Sequence, residues 1–236
     1  MQPMPGRCFH CGQTLAQEAM AEHVRACCLA GSPADALLLH IRDAYFPQTF
    51  WIFALAPADL TLAALDDFLR RLWVDCCGHY SQFAIGETVY ARRPNGSLVE
   101  QIMDAQAHRQ PMTPPLGEVL TPSQTITYAY DDAWPTELHI TPLAACRTED
   151  QAEIHLLARN YKPTTACRVC GQPAAWLYTN TWPLQPYCDA HAREHPDWQQ
   201  PDAFLPYVNS PRVGLCRYRG PQDPALRFEV TPPEEA

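Results

Sequence analysis

The sequence predicts an α+β fold: a mixed, mostly antiparallel sheet with one main amphipathic helix, flanked at each end by a small module rich in cysteine and histidine. Three observations carry this. Between residues 36 and 158, short apolar or alternating runs are separated by turn residues, the pattern of hairpin-linked strands. One stretch, PADLTLAALDDFLRRLW (57–73), repeats its large apolar residues at helical spacing. A C-x2-C-G-Q string occurs at 8–13 and again at 167–172.

The first module is CFHCGQTLAQEAMAEHVRACC (8–28). Cys8 and Cys11, with Gly12 behind them, suit a tight turn that aims two thiolates at one point. Thr14 to Gln17 reads as a capping box, and 13–28 contains neither Gly nor Pro, so a helix follows. His23 and Cys27 are four apart and share a helix face. Cys28 is rotated about 100° away, and His10 lies inside the turn. Cys8, Cys11, His23 and Cys27 therefore form a candidate tetrahedral zinc site of three thiolates and one imidazole. Chance clustering of cysteines is the alternative.

Gly31-Ser32-Pro33 reads as a seam. ALLLHIRDA (36–44) and TFWIFALA (49–56) then read as strands, the second apolar on both faces and so central in a sheet. In the helix that follows, Leu62, Leu65, Leu69, Leu72 and Trp73 form one apolar stripe, with Asp66, Asp67, Arg70 and Arg71 expected outside. Strands are predicted at 81–85 and 87–91, then a Pro-rich loop at 108–115, then strands at 124–130, 136–140 and 152–158.

After Lys162-Pro163 the opening device returns. Cys167 and Cys170 are followed by Cys188 and His191, a C-x2-C-x17-C-x2-H spacing that fits a second zinc site of ribbon type. His195 rivals His191, but Pro196 is expected to end the local helix there. From Pro221 onward there is no apolar periodicity, and disorder is expected. The organisation predicted is thus a zinc finger at 1–31, an α+β domain at 32–160, a zinc-ribbon-like module at 161–220 and a disordered tail at 221–236. The cofactor expected is zinc, about two per chain.

Charge restricts the partners. The net charge is −9, and only one of the seventeen basic residues, Lys162, is lysine. Residues 32–160 carry eight basic and sixteen acidic side chains, a field that repels phosphate backbones. Between Ala203 and Gly220 there is no acidic residue, and Arg212, Arg217 and Arg219 form a candidate basic contact. Folding back onto the acidic middle is the expectation for these arginines, with nucleic acid as the alternative. No apolar run approaches the roughly 20 residues that span a bilayer, so no membrane partner is expected. Met1–Arg7 leads directly into the first Cys pair without a secretory leader, and eleven cysteines in a chain of 236 residues then suggest a reducing, cytoplasmic setting.

The middle and the end of the chain resemble the plasmid pRiA4b ORF-three-like family. The similarity rests on PADLTLAALDDFLRRLWVDCCGHYSQFAIGETVY, on LGEVLTPSQTITYAYDDAWPTELHI, and within them on Trp73, His79, Phe83, Tyr128, Tyr130 and Asp131. The closing LPYVNSPRVGLCRYRG is similar to an Asn-Ser-Pro-Arg ending in a zinc-containing branch whose members in part sit beside transposase genes. The resemblance covers about residues 36–220 and departs at DDAWPT, where many relatives have a Gly-rich turn, and at His191, where Cys is common. It implies an α+β fold and a mobile-element setting, and no particular activity.

One internal stretch tempts toward catalysis. In DCCGHYSQF, Cys76, Cys77 and His79 could be a thiol nucleophile with its base, or ligands of a third metal. The pair lacks an orienting third group, and a buried thiol cluster with His79 satisfied by backbone is the expectation. His40, His139 and His155 sit in strand-like settings and are expected on outer strand faces rather than in a metal triad. Asp131 and Asp132 are adjacent on a strand and point apart. The function expected is therefore a zinc-stabilised, non-enzymatic adaptor with an unidentified protein partner. A nucleic-acid-binding regulator comes second and a thiol enzyme third.

Overall fold

The computed structural model describes residues 3–28, 35–92, 109–148, 151–221 and 226, with the side chains of Cys27 and Cys28 outside that description. The expected seam at 31–33 and most of the expected tail lie outside the described residues.

The chain is α+β, built on a large mixed sheet with few helices. Ten strands run in the order β2-β1-β10-β4-β3-β9-β8-β5-β6-β7. They are β1 (Gly6–Cys8), β2 (Thr14–Leu15), β3 (Ala36–Asp43), β4 (Trp51–Pro57), β5 (Ser81–Ile85), β6 (Thr88–Arg92), β7 (Gln110–Pro111), β8 (Ile126–Tyr130), β9 (Thr136–Cys146) and β10 (His155–Asn160). All neighbours pair antiparallel except β6 and β7. A separate three-stranded sheet, β12-β11-β13, joins β11 (Trp176–Tyr178), β12 (Gln185–Tyr187) and β13 (Phe204–Pro206).

The main sheet is covered on both faces, which is why β4 is buried along its whole length. One face packs α2 (Leu62–Leu69) and the π turn 70–74: Leu62, Leu65, Leu69, Leu72 and Trp73 lie against Leu39, Ile41, Ile52 and Ile140. Thr61 caps α2, its hydroxyl accepting from the Ala64 N–H at 3.3 Å. The other face carries α1 (Gln17–Cys28), whose Met20 and Val24 pack on Leu38, Trp51 and Phe53. The first module's strands thus extend the main sheet, because β1 pairs with β10 in register Gly6↔Asn160 to Cys8↔Ala158.

Two expectations are corrected. Asp66 and Arg70 do not face water: they are 0% and 5% exposed. Asp66 accepts from Arg70 Nε at 2.8 Å, from Tyr128 Oη at 2.8 Å and from Arg92 Nη1 at 3.2 Å, so its buried charge is fully partnered. Strands β5 and β8 close over that side of α2, a long-range event that helical periodicity cannot report. Nor does His40 lie on an outer face. It stacks on Phe53 at 4.5 Å, and its Nε2 accepts from the Gln17 amide at 2.9 Å, beneath α1. Among the described residues, no helix is long and apolar enough to cross a membrane.

Candidate metal centres

The two C-x2-C-G-Q strings fold into the same knuckle. In the first, the Cys8 N–H donates to Gln13 O at 2.9 Å and the Gly12 N–H to Cys8 O at 2.9 Å. In the second, the Cys167 N–H donates to Gln172 O at 2.7 Å and the Gly171 N–H to Cys167 O at 2.9 Å. Gly12 (φ 79°) and Gly171 (φ 73°) occupy the left-handed region that lets the chain turn so sharply. Each knuckle offers two thiols to a helix that brings further donors.

At the first site, Cys8, Cys11 and His23 place their donor atoms within 4.8 Å of one another, with Cys11 Sγ 3.2 Å from His23 Nε2. Cys8 is buried, His23 half-buried and Cys11 exposed. Cys27 lies in α1 one turn beyond His23, and its side chain lies outside the described residues. His10 is exposed and outside the cluster.

The second site holds four donors. Cys167, Cys170, Cys188 and His191 lie within 4.8 Å of one another. Cys170 and Cys188 sulfurs are 3.8 Å apart, and His191 Nδ1 is 3.2 Å from Cys188 and 3.7 Å from Cys167. The helix α3 (Asp189–Arg193) supplies His191, with Cys188 as its N-cap residue. His195 turns away into an aromatic cluster with Tyr178, Tyr187 and Phe204, and its Nδ1 accepts from the Asp197 N–H at 3.1 Å. Burial raises the Cys167 thiol, but the N–H groups of Cys188, Cys170 and Val169 outweigh it and bring the pKa down to about 6. Such a thiol is ready to ligate near neutrality.

The expectation of an internal thiol cluster with His79 bonded to backbone is the third correction. His79 Nε2 faces sulfur, 3.0 Å from Cys77 and 3.1 Å from Cys216. Cys76, Cys77, His79 and Cys216 place four donors within 4.8 Å. Cys77 and Cys216 are exposed rather than buried. Sequence reasoning missed Cys216, which is distant in the chain and has no C-x2-C partner to mark it. Desolvation first, then hydrogen bonds and charge from Cys76 and Cys216, push the Cys77 thiol up to about 12, the reverse of what a thiolate nucleophile needs.

What delivers Cys216 is the Asn-Ser-Pro-Arg segment, which is buried. Asn160 and Asn209 exchange hydrogen bonds, Asn160 Nδ2 to Asn209 Oδ1 and Asn209 Nδ2 to Asn160 O, both at 2.9 Å, and Ser210 Oγ donates to Trp73 O at 2.7 Å. Arg212 is fully buried and donates to Asp131 Oδ2 at 2.5 Å, to Trp134 O at 2.7 Å and to Thr136 Oγ1 at 3.1 Å. Burial works to raise the Asp131 carboxyl, but the Arg212 and Ala133 hydrogen bonds and the Arg212 charge hold it below the ordinary carboxylate range. Tyr130 lies between two guanidiniums, Arg70 at 4.8 Å and Arg212 at 4.9 Å from its ring centre. The segment forms turns. Arg217 and Arg219 pair with Asp202 at 3.1 and 3.0 Å.

The remaining candidates do not converge. The Cys/His groupings among the described residues do not include His40, His139 or His155. Asp131 is buried while Asp132 is exposed. A cleft of about 410 Å³ runs beside α2, between Asp67, Arg71, Asp75 and Glu153, and one of about 330 Å³ lies between Lys162, Tyr207 and Arg219; neither is lined by cysteine or histidine.

No family model matches the chain, and no curated protein matches it. Among solved structures, it is similar to a protein of unknown function, MM3350 from Methanosarcina mazei Go1. That likeness has 12% identity and a TM-score of 0.43, over 54% of this chain and 70% of the other.

Proposed function

We propose that this chain is a zinc-stabilised, non-enzymatic interaction protein of the plasmid pRiA4b ORF-three-like kind, accessory to a mobile genetic element. The observation that carries the reading is the closed donor set at the second knuckle, where Cys167, Cys170, Cys188 and His191 supply four ligands. A structural zinc is held by four protein donors, whereas a catalytic one keeps a position open for water or substrate. The first knuckle is read in the same way, with Cys27 as the fourth ligand. The thiol-enzyme alternative is weakened by the raised Cys77 thiol.

Nucleic-acid binding is disfavoured by where α1 sits. Its Met20 and Val24 are buried against the sheet, and Gln17 is 9% exposed and held by His40 and Pro47. The exposed charged residues of α1 are Glu18, Glu22 and Arg25, and the Arg25 guanidinium donates to Leu143 O at 3.0 Å. A helix that reads a major groove presents several donors and a positive field there.

Binding to random duplex across a salt series tests this. The expected result is weak binding with a shallow slope. A log–log slope steepening by about 0.9 per neutralised phosphate would favour the nucleic-acid reading instead. Affinity capture from the native host, with the zinc-loaded chain as bait and its chelated form as control, tests the protein-partner reading. A partner that binds both forms equally argues against the zinc-held surfaces.

A further inference from the structure

Cys76, Cys77, His79 and Cys216 belong to neither knuckle. Two come from the end of the π turn, one from the start of β5 and one from the segment that closes the chain over the sheet. Zinc–sulfur bonds of about 2.3 Å at the tetrahedral angle put two sulfurs about 3.8 Å apart. The Cys76–Cys77 and Cys77–Cys216 sulfur pairs both measure 3.8 Å, and the histidine nitrogen lies between two of the three sulfurs. We propose that these four side chains bind a third zinc ion, which fixes the 214–217 turn onto the sheet domain.

Three independent features support the assignment. Cys216 (φ 44°) and Arg217 (φ 60°) both adopt the left-handed region, which side chains with a Cβ avoid unless their surroundings hold them there. The sulfur of Cys216 aimed at His79 and Cys77 supplies a reason for that strain. The loop on the other side is also prearranged. The Gly78 N–H donates to Asp75 Oδ1 at 2.9 Å, and the Tyr130 hydroxyl accepts from the Cys76 and His79 N–H groups at 3.4 and 3.2 Å. Finally, three thiolates, one neutral imidazole and Zn²⁺ leave a net single negative charge. The Arg212 guanidinium lies 3.6 Å from Cys76 Sγ and complements it, while Asp131 anchors the arginine.

The soft, sulfur-rich donor set selects zinc over magnesium or calcium, which take oxygen ligands. The ion would join loops that lie 137 residues apart from His79 to Cys216. It rests on the knuckle reading only for the choice of metal.

The test is metal content of the full chain, purified without chelator, for wild type, Cys216→Ser and Cys170→Ser. About three zinc per chain are expected in the wild type and about two in each variant. Cys216 is exposed on a turn, so its substitution removes a sulfur without opening a core cavity. Should Cys216→Ser change the circular dichroism, His79→Asn decides under the same criteria. Two zinc in the wild type, unchanged in Cys216→Ser and lowered in Cys170→Ser, overturns the third site and leaves the knuckles standing. A value near zero in all three overturns both. A Cys77–Cys216 disulfide in freshly purified, metal-loaded protein, found by non-reducing mass measurement, also overturns the site. Cobalt titration of the wild type should add thiolate-to-metal absorption up to the third equivalent. Saturation at the second counts against the proposal.

Discussion

The two knuckles share a hexapeptide pattern and a pair of backbone hydrogen bonds, yet they are embedded differently. The first belongs to the ten-stranded sheet: β1 pairs with β10, and Met20 and Val24 join Trp51, Phe53 and Leu38 in a common apolar cluster. The second caps a three-stranded sheet with a small core, Tyr178, Tyr187, Ala192, Ala203 and Phe204. A turn that aims two thiols at one point is therefore a local device, and what it contributes depends on the core behind it. A small core leaves more of its chain's conformational entropy uncompensated than a large one does, so a metal bound at both knuckles would matter most at the second.

Metal removal should separate them most sharply. Structural zinc can supply on the order of 10 kcal/mol or more. Chelation, or Cys170→Ser, should abolish hydrogen-exchange protection in β11–β13. Cys11→Ser should loosen α1 while leaving β3, β4 and β9 protected. Equal loss at both ends would erase the distinction drawn from their cores.

The next largest effect lies where the chain's end meets the sheet. Arg212 is 0% exposed and its partner Asp131 is buried. Removing one partner of such a pair leaves an uncompensated buried charge and costs about 3–5 kcal/mol. Arg212→Met should lower the urea midpoint of the sheet domain accordingly, and a paired Asp131→Asn change should recover part of the loss. A cost below about 1 kcal/mol would mean that the segment is only laid on the surface.

Much of this fold was legible because it is written in local patterns. The apolar runs at 36–44 and 49–56 became β3 and β4, and the Leu62-Leu65-Leu69-Leu72 stripe became the buried face of α2 and its π turn. The knuckles were legible because C-x2-C-G-Q fixes a turn on its own. Asp66 and Arg70 were misread because their burial comes from Tyr128 and Ser81, on strands whose pairing no periodicity encodes. Cys216 was invisible for a related reason: it meets His79 across 137 residues, beside the Arg212–Asp131 contact, with no local motif to mark it. Local chemistry shows in sequence; chemistry assembled across the fold does not.

A smaller effect tests how α1 is held to the sheet. Burial first, and then the Arg42 charge, lower the His40 pKa from 6.5 to about 4. The folded state thus binds its proton less readily than the unfolded state. The stability that neutral His40 contributes is complete above about pH 6.5 and is lost as pH falls toward 4. Protonation would also remove the lone pair that accepts from Gln17. The loss should reach at most about 3.5 kcal/mol, since the pKa falls from 6.5 to about 4 and one pKa unit corresponds to about 1.4 kcal/mol. Thiolates shed metal in acid in wild type and variant alike, so the difference between wild type and His40→Asn isolates this residue. Parallel stability curves between pH 6.5 and 4 would refute the assignment.

The smallest effect separates the buried arginine of the closing segment from its exposed neighbours. Arg217 and Arg219 are 78% and 55% exposed and share Asp202, itself 30% exposed. Solvent screens such pairs, and each contributes less than about 1 kcal/mol. The double change Arg217→Gln, Arg219→Gln should therefore leave the melting temperature nearly unchanged, where Arg212→Met lowers it clearly. Asp202→Asn sharpens the contrast from the other side. It releases two guanidiniums, of which Arg219's lines the Lys162 cleft, creating locally the positive field that the rest of the chain, at net −9, opposes. If Asp202→Asn alone conferred salt-sensitive binding to duplex DNA, Asp202 would be masking a phosphate contact rather than merely accepting a surface ion pair. The two-carboxylate arrangement, Asp131 for the buried arginine and Asp202 for the exposed ones, predicts no such gain.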